Sequence, residues 1–292
     1  MKPPLFAYRA PRTLDEAVAA LAGDDEAAVL AGGQSLLPAM NFRLAAPSVL
    51  VDIQHVAGLK GIAVADGQII VKAMTRHREL ELDEAVRRAN PLIAEVMEHV
   101  AHIPIRNRGT VVGSLCHADA AAEMPVLLVL LGGSVVAQSA GGRREIAAAD
   151  FFQFHLTTSR RRDEIIVEAR FPVLPSDAGW AFDEMTRRHG DFAIAGVGAM
   201  VRLDAAGKAS EVRLAACGIA ACPVRLTEAE NRLVGTALAD ADLRAAGQAA
   251  TAAVTAPDDM HASAAYRRRV TAALVQRMVA KAAARAKERG GR

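Results

Sequence analysis

The segment Ala31-Gly32-Gly33-Gln34-Ser35-Leu36-Leu37-Pro38 follows a short apolar run, Ala28 to Leu30, that reads as a strand. A strand ending in two consecutive glycines turns sharply there, and without a Cβ its backbone comes close to another molecule. The amides of such a turn point into one concavity, an arrangement that holds phosphate. Gln34 and Ser35 add side-chain donors at the same place. A second glycine-bearing segment, Thr110-Val111-Val112-Gly113-Ser114, lies in the same half of the chain. One such loop is weak evidence. Two, with the acids Asp119 and Glu123 downstream, point to a nucleotide cofactor.

The rest of the chain reads as mixed strands and helices. Phe6 to Leu21 is a short strand and then a helix capped by Thr13, with Glu16 at the capping-box position. Val49 to Ile53 is a strand, and Gly61 to Ala73 alternates around Asp66-Gly67, a strong hairpin signal. Helices follow at Pro91–Val100 and Glu123–Leu131, the second ending at Gly132-Gly133. A hairpin around Gly141-Gly142 and a strand from Ile165 to Phe171 complete the first part. Pro172, Pro175, Ser176 and Asp177 mark a domain boundary by turn chemistry. Beyond it come strands at Trp180–Met185, Ile194–Leu203 and Val212–Ile219, with a turn at Asp204–Gly207. Helices are expected at Thr227–Val234, Asp240–Val254 and Ala264–Ala284, the last capped by Ser263, before a charged, frayed tail from Lys287 to Arg292. No clean βαβ alternation is present, so the class is α+β rather than a doubly wound sheet.

At 292 residues the chain has room for two domains, and its 52% hydrophobic and 23% charged residues suit a globular fold. A net charge of +2 argues against a dedicated nucleic-acid binder, and aromatics at 4% leave few surfaces for stacking bases. The longest apolar run, Met124 to Leu131, is too short for a membrane span, and no apolar stretch follows Lys2 as a signal peptide requires. Cys116, Cys217 and Cys222 form no C-x-x-C pair and are too few for a four-cysteine cluster; they read as reduced packing residues of a cytoplasmic protein.

Several patterns are decoys. Gly196-Val197-Gly198 lacks the third glycine and the following helix of a dinucleotide fingerprint, so it reads as sheet packing. Gly207-Lys208-Ala209-Ser210 is a hairpin turn rather than a Walker loop. His99, His102 and His117, with Asp119 and Glu123, match no standard zinc spacing. Ser114 with His117 has no nucleophile-elbow frame. Arg106 and Arg108 read as a solvated face, or as charges tuning a phosphate site. No catalytic acid, base or metal ligand is assigned.

Taken together, the motifs resemble the FAD-binding medium subunits of the molybdenum hydroxylases, the carbon monoxide dehydrogenase and xanthine dehydrogenase family. Ala31–Pro38 followed by Asn41-Phe42-Arg43-Leu44 is similar to that family's first FAD loop, and Arg106–Ser114 to its second, R-N-x-G-T-I-G-G-N. His117–Pro125 resembles A-D-P-A-A-E-x-P, and Arg187–Ala193 resembles R-R-x-x-D-[FY]-A. The resemblance covers nearly the whole chain. It implies an FAD-binding domain over residues 1–174, in two α/β subdomains of about 1–57 and 58–174, and a smaller sheet-plus-helices C-terminal domain over 175–292. By position, Ala31, Gly32, Gly33, Gln34, Ser35 and Leu36 would wrap the diphosphate, while Thr110, Gly113 and Ser114 would donate from the second loop. His117, Asp119 and Glu123 would serve the ribityl and pyrophosphate region, and the backbone of Ile166 would reach the isoalloxazine.

Val112, Ser114 and Ala120 depart from the family pattern, and Glu184 stands where many relatives carry a Lys. A β-branched Val112 is expected to restrict the second loop, and loss of a cation at 184 to make flavin reduction less favourable. The implied activity is electron transfer: electrons from the 2Fe–2S clusters of a small subunit, released by a molybdenum-cofactor large subunit, pass to NAD, a quinone or oxygen. The implied assembly is a dimer of heterotrimers. Two rival readings are a stand-alone FAD oxidoreductase and a non-enzymatic assembly protein with a degraded flavin site.

Overall fold

The computed structural model describes residues 2–252 and 254–290. It has the expected α+β architecture, built on three main sheets. The first is parallel, in the order β1 (Ala7–Arg9), β3 (Val49–Asp52), β2 (Ala28–Leu30). Helix α1 (Leu14–Ala22) joins β1 to β2, and the reciprocal Thr13–Glu16 capping box is formed. Helix α2 (Leu36–Asn41) begins directly after the glycine pair. It was not expected, because six residues carry too little of a helical period to be read.

The second sheet is antiparallel, in the order β4 (Ile62–Ala65), β5 (Gln68–Lys72), β10 (Ile165–Pro172), β6 (Ser134–Ser139), β7 (Gly142–Ala147). Asp66 and Gly67 both adopt positive φ in the β4–β5 turn, as an Asp-Gly hairpin requires. Six helices separate β5 from β6: α3 (His77–Leu82), α4 (Glu84–Ala89), α5 (Pro91–Met97), α6 (Ile103–Arg106), α7 (Val111–His117) and α8 (Glu123–Leu131). Helix α9 (Ala148–Phe151) and the small β8 (Phe152–Phe154)–β9 (Thr157–Thr158) hairpin precede β10.

The third sheet, β11 (Gly179–Met185), β12 (Ala195–Leu203), β13 (Ala209–Cys217) and β14 (Val224–Arg225), is an antiparallel meander. One face packs on α12 (Ala264–Gly290), with α10 (Thr227–Leu233) and α11 (Asp240–Ala252) beside it. Helix α12 runs past Ala284, so Lys287 to Gly290 is helical rather than frayed; the expectations at Ala253 and at Gly291–Arg292 lie outside the described residues. The other face packs on α8, all nine residues of which are buried. A helix apolar on every side needs cover on every side, and α8 finds it between β10 of the second sheet and β12 and β13 of the third. Gly198 makes room: a Cβ there would lie 2.6 Å from Leu130 Cδ2. The Gly196–Gly198 pair is therefore sheet packing, as expected.

A carboxylate fastens the third sheet to the helices in front of it. Glu95 on α5 accepts from Trp180 Nε1 (3.2 Å), the Phe182 amide (3.3 Å), Lys281 Nζ (2.8 Å) and Arg285 Nη1 (2.6 Å). Burial opposes the charge, but the bonds from Lys281 and Arg285 outweigh it and hold the Glu95 carboxyl below the usual range. Glu95→Ala is expected to lower unfolding free energy by about 2 kcal/mol, the scale of hydrogen bonds to a charged group. Urea denaturation checks this, and a loss under a few tenths would show the clasp to be incidental.

Candidate functional site

The two glycine segments, far apart in sequence, meet. A Cβ on Gly32 would fall 2.6 Å from the Arg108 carbonyl oxygen, 2.8 Å from Gly109 Cα and 2.9 Å from the Thr110 nitrogen. Gly33 takes a φ of +72°, which turns the chain out of β2 and into α2. Among the described residues, the amides of Gly32, Gly33, Gln34 and Ser35 donate to no backbone carbonyl. Gln34 spans the turn, its Nε2 3.4 Å from the Gly32 carbonyl oxygen, and Ser35 occupies the cap position of α2 with no side-chain bond to that helix. No acidic residue lies between Glu26 and Asp52. A cluster of free amides with no Cβ in its floor fits a pyrophosphate.

The second segment is a helix start rather than a loop. Thr110 caps α7, its hydroxyl accepting from the Gly113 amide at 3.1 Å, and its carbonyl accepts from Ser114. The Gly113 amide is thus engaged within the cap, while Gly113 keeps the space beside Ala31 open. Val112 sits in the first helical turn with its side chain in the core. Ser114 and His117 are half-buried on α7, and Asp119 follows the left-handed Ala118, its Oδ1 accepting from the Ala121 amide at 2.8 Å. Burial pushes His117 below the ordinary imidazole value, with Asp119 opposing it. Burial also pushes the Cys116 thiol up to about 11, consistent with a packing role.

Residues behind the loops hold them in place, and the sequence did not single most of them out. The Arg76 guanidinium donates to the Arg108 carbonyl oxygen, and the His77 amide donates to the Gly109 carbonyl at 3.0 Å. The His77 ring lies directly under Gly109, where a Cβ would come within 2.9 Å of Nδ1. Arg106 belongs to this support and not to a solvated face. It is buried, forked onto Glu81 through Nε (2.9 Å) and Nη2 (3.2 Å), and donates from Nη1 to the carbonyls of Val100 and Ala101. Arg108 is exposed. An Arg76-His77 pair at a helix start carries no motif; only the following Glu79, bonded back to the Arg76 amide, signals a cap.

Acids collect where α8 meets the third sheet. Glu123 is 5% exposed at the first turn of α8, and the Glu184 side chain is 3% exposed on β11. Burial, then the neighbouring carboxylates of Glu184 and Asp119, raise Glu123 well above the usual carboxylate range. His99 stands 3.6 Å from Glu184, so Glu184 is part of a carboxylate–imidazole pair. His102 stacks on His189 and packs against Gly190, which brings the Arg187–Ala193 segment against the start of α6. The three histidines of the zinc decoy therefore face different partners. Ile166 is buried in β10 at a bulge before Glu168; α7 packs across this strand, but the side chain of Ile166 belongs to the core.

Comparison with known proteins covers the whole site. Residues 4–174 match the family model for the FAD binding domain in molybdopterin dehydrogenase, and residues 180–282 match that for the CO dehydrogenase flavoprotein C-terminal domain. The chain is 43% identical to the 6-hydroxypseudooxynicotine dehydrogenase complex subunit alpha of Paenarthrobacter nicotinovorans, over 98% of this chain and 97% of that one. It is 34% identical to the carbon monoxide dehydrogenase medium chain of Hydrogenophaga pseudoflava, over 98% and 99%. Among solved structures, a carbon monoxide dehydrogenase from Hydrogenophaga pseudoflava superposes with a TM-score of 0.95 at 34% identity, covering 98% of this chain and 99% of that one. The quinoline 2-oxidoreductase of Pseudomonas putida 86 gives 0.94 at 38% identity, with the same coverage. Among the described residues, no helix is long and apolar enough to cross a membrane.

Proposed function

Because this chain belongs to the FAD-binding subunits of the molybdenum hydroxylase family, we propose that it is the electron-transfer flavoprotein of a multi-subunit dehydrogenase. It takes electrons from the 2Fe–2S clusters of a small subunit and passes them to NAD, a quinone or oxygen. A large subunit with the molybdenum cofactor oxidises the substrate. Relatives named as medium chains and complex subunits support such partners, and we assign a cytoplasmic dimer of heterotrimers. Residues 1–174 form the FAD-binding domain, in subdomains of about 1–57 and 58–174, and 175–292 the C-terminal domain.

The observation that carries this reading is the meeting of the two glycine segments over one open set of amides. Gly32, Gly33, Gln34, Ser35 and Leu36 hold the diphosphate, with Ala31 packed beside Gly113. Thr110 and Gly113 shape the opposite wall, and Ser114 offers its hydroxyl. His117, Asp119 and Glu123 line the sugar side, and the backbone near Ile166 closes the ring side. Bound FAD supplies a ring system that accepts electrons singly and releases them in pairs. The protein's part is to fix that ring, keep water from it and set its local charge. With Val112 directed into the core, nothing at that position favours a degraded site.

The test is the visible spectrum of the purified chain after incubation with FAD and desalting. Retained flavin bands at about one FAD per chain are expected. A folded chain that emerges colourless, alone and with its partner subunits, would overturn the assignment.

A further inference from the structure

Strand β1 lies at the edge of the first sheet, bonded to β3 on one side and to no strand on the other. The Ala7 amide donates to the Ser48 carbonyl at 2.8 Å, and alternate residues of a parallel ladder face the neighbouring strand. Tyr8 therefore turns its amide and carbonyl outward. Among the described residues, the backbone groups of Leu5 and Phe6 make no hydrogen bond. Every residue from Leu5 to Ala10 is exposed. Leu5 is fully so, and Phe6 and Tyr8 are 38% and 55% exposed. The Tyr8 hydroxyl donates to Asp52 Oδ2 at 2.6 Å, which fixes the ring against the sheet. Edge strands in proteins are commonly blunted by proline, bulges or inward charge. Here Pro4 and Pro11 only bound the stretch, leaving six residues between them, about the length of an ordinary strand.

We propose that β1 takes up one further strand, an extended segment of a partner subunit in which apolar residues alternate with acids. The inference rests on the multi-subunit reading above. Backbone bonds to the outward groups of Phe6 and Tyr8 hold such a strand, the main-chain pairing of β-augmentation. Phe6 and Tyr8, two residues apart, lie on one face of the sheet and give its apolar side chains a platform. The charge of the segment follows from that of the edge. Lys2, Arg9 and Arg12 are the charged residues before Asp15, and all three are exposed. Nearby acids are already engaged: Asp52 is buried and bonded to Tyr8, and Glu16 closes the Thr13 cap. Cations with no free acid among them complement a strand that bears carboxylates and repel a basic one. The same charges disfavour a second copy of this chain. Antiparallel pairing that faces Phe6 with Tyr8 would set Lys2 against Arg12 of the other copy.

Hydrogen–deuterium exchange of residues 2–12 is compared in the isolated chain and in the complex purified with its large and small subunits. The Phe6 and Tyr8 amides are expected to exchange about a hundredfold more slowly in the complex. Phe6→Pro removes one outward N–H and leaves the Ala7–Ser48 bond in place. It is expected to weaken assembly about tenfold, the scale of one lost hydrogen bond, with the melting temperature of the isolated chain unchanged. Arg9→Glu is expected to weaken assembly about tenfold at low salt and less at high salt. Subunits that assemble while residues 2–12 exchange alike in both samples would overturn the docking and leave the functional reading standing. A wild-type chain that recruits neither subunit would overturn the multi-subunit reading and the docking with it. Sedimentation of the isolated chain tests the other occupant. A dimer that Phe6→Pro turns into a monomer would assign the edge to a second copy and overturn the proposal.

Discussion

Gly32→Val is expected to abolish FAD retention and to lower the melting temperature of the unloaded chain. The cause is space rather than backbone conformation, since Gly32 is absent from the residues at positive φ. Its Cβ would sit 2.6 to 2.9 Å from three backbone atoms of Arg108, Gly109 and Thr110. Backbone atoms cannot rotate away as a side chain end can. The two segments would have to part, which costs about 1–3 kcal/mol as overpacking. Separating them also opens the junction on which the proposed diphosphate site rests, and a loss of about 3 kcal/mol in binding is roughly a hundredfold in affinity. Gly141→Ala is the control, because the nearest atom to its Cβ is Ser139 Oγ at an ordinary 3.6 Å. Flavin-to-protein ratio after desalting, with thermal melting alongside, reads both. A Gly32→Val chain that keeps a full complement of FAD would show that the junction is not the pyrophosphate site.

Much of this arrangement is legible in the sequence because glycine pairs, turn residues and alternation are local signals. The Asp66-Gly67 hairpin, the Thr13–Glu16 box and the buried run of α8 all act within a few residues of themselves. What the residues alone do not disclose is tertiary. Thr110 to Ser114 carries glycine and two β-branched valines, which weigh against helix, yet packing of Val111 and Val112 into the core makes it one. Helices α3 and α4 are only six residues each, short enough for their caps at Glu79 and Asp83 to be passed over. Arg106 looks like a surface charge until the fold brings Glu81 and two carbonyls to it from other segments. The Glu95 clasp and the Glu184–His99 pair join residues more than eighty positions apart, so no spacing in the chain could reveal them.

The support beneath the two glycine segments should also make this chain acid-sensitive. His77 is buried, and neither ring nitrogen has a hydrogen-bond partner among the described residues. Burial first, then the positive charge of Arg106, depress it from the ordinary 6.5 to about 4. Below pH 6.5 the unfolded chain binds a proton on this residue, while the folded chain does not until about pH 4. Stability therefore falls as the pH is lowered through that window and is fully present above it. The depression of about 2.5 units corresponds to about 3 kcal/mol at the acid end. Carboxylates of the chain titrate in the acid range too, so the comparison is between the wild type and His77→Leu, both without flavin. The variant removes the titrating group together with two unsatisfied nitrogens, and its apolar side chain suits a buried position. Urea unfolding at several pH values should show wild type losing about 3 kcal/mol more than His77→Leu between neutral pH and pH 4. Identical slopes would mean that the imidazole reaches solvent in the folded chain. The steeper slope, in turn, predicts that the Arg108–Thr110 segment resting on this ring is where acid first loosens the site.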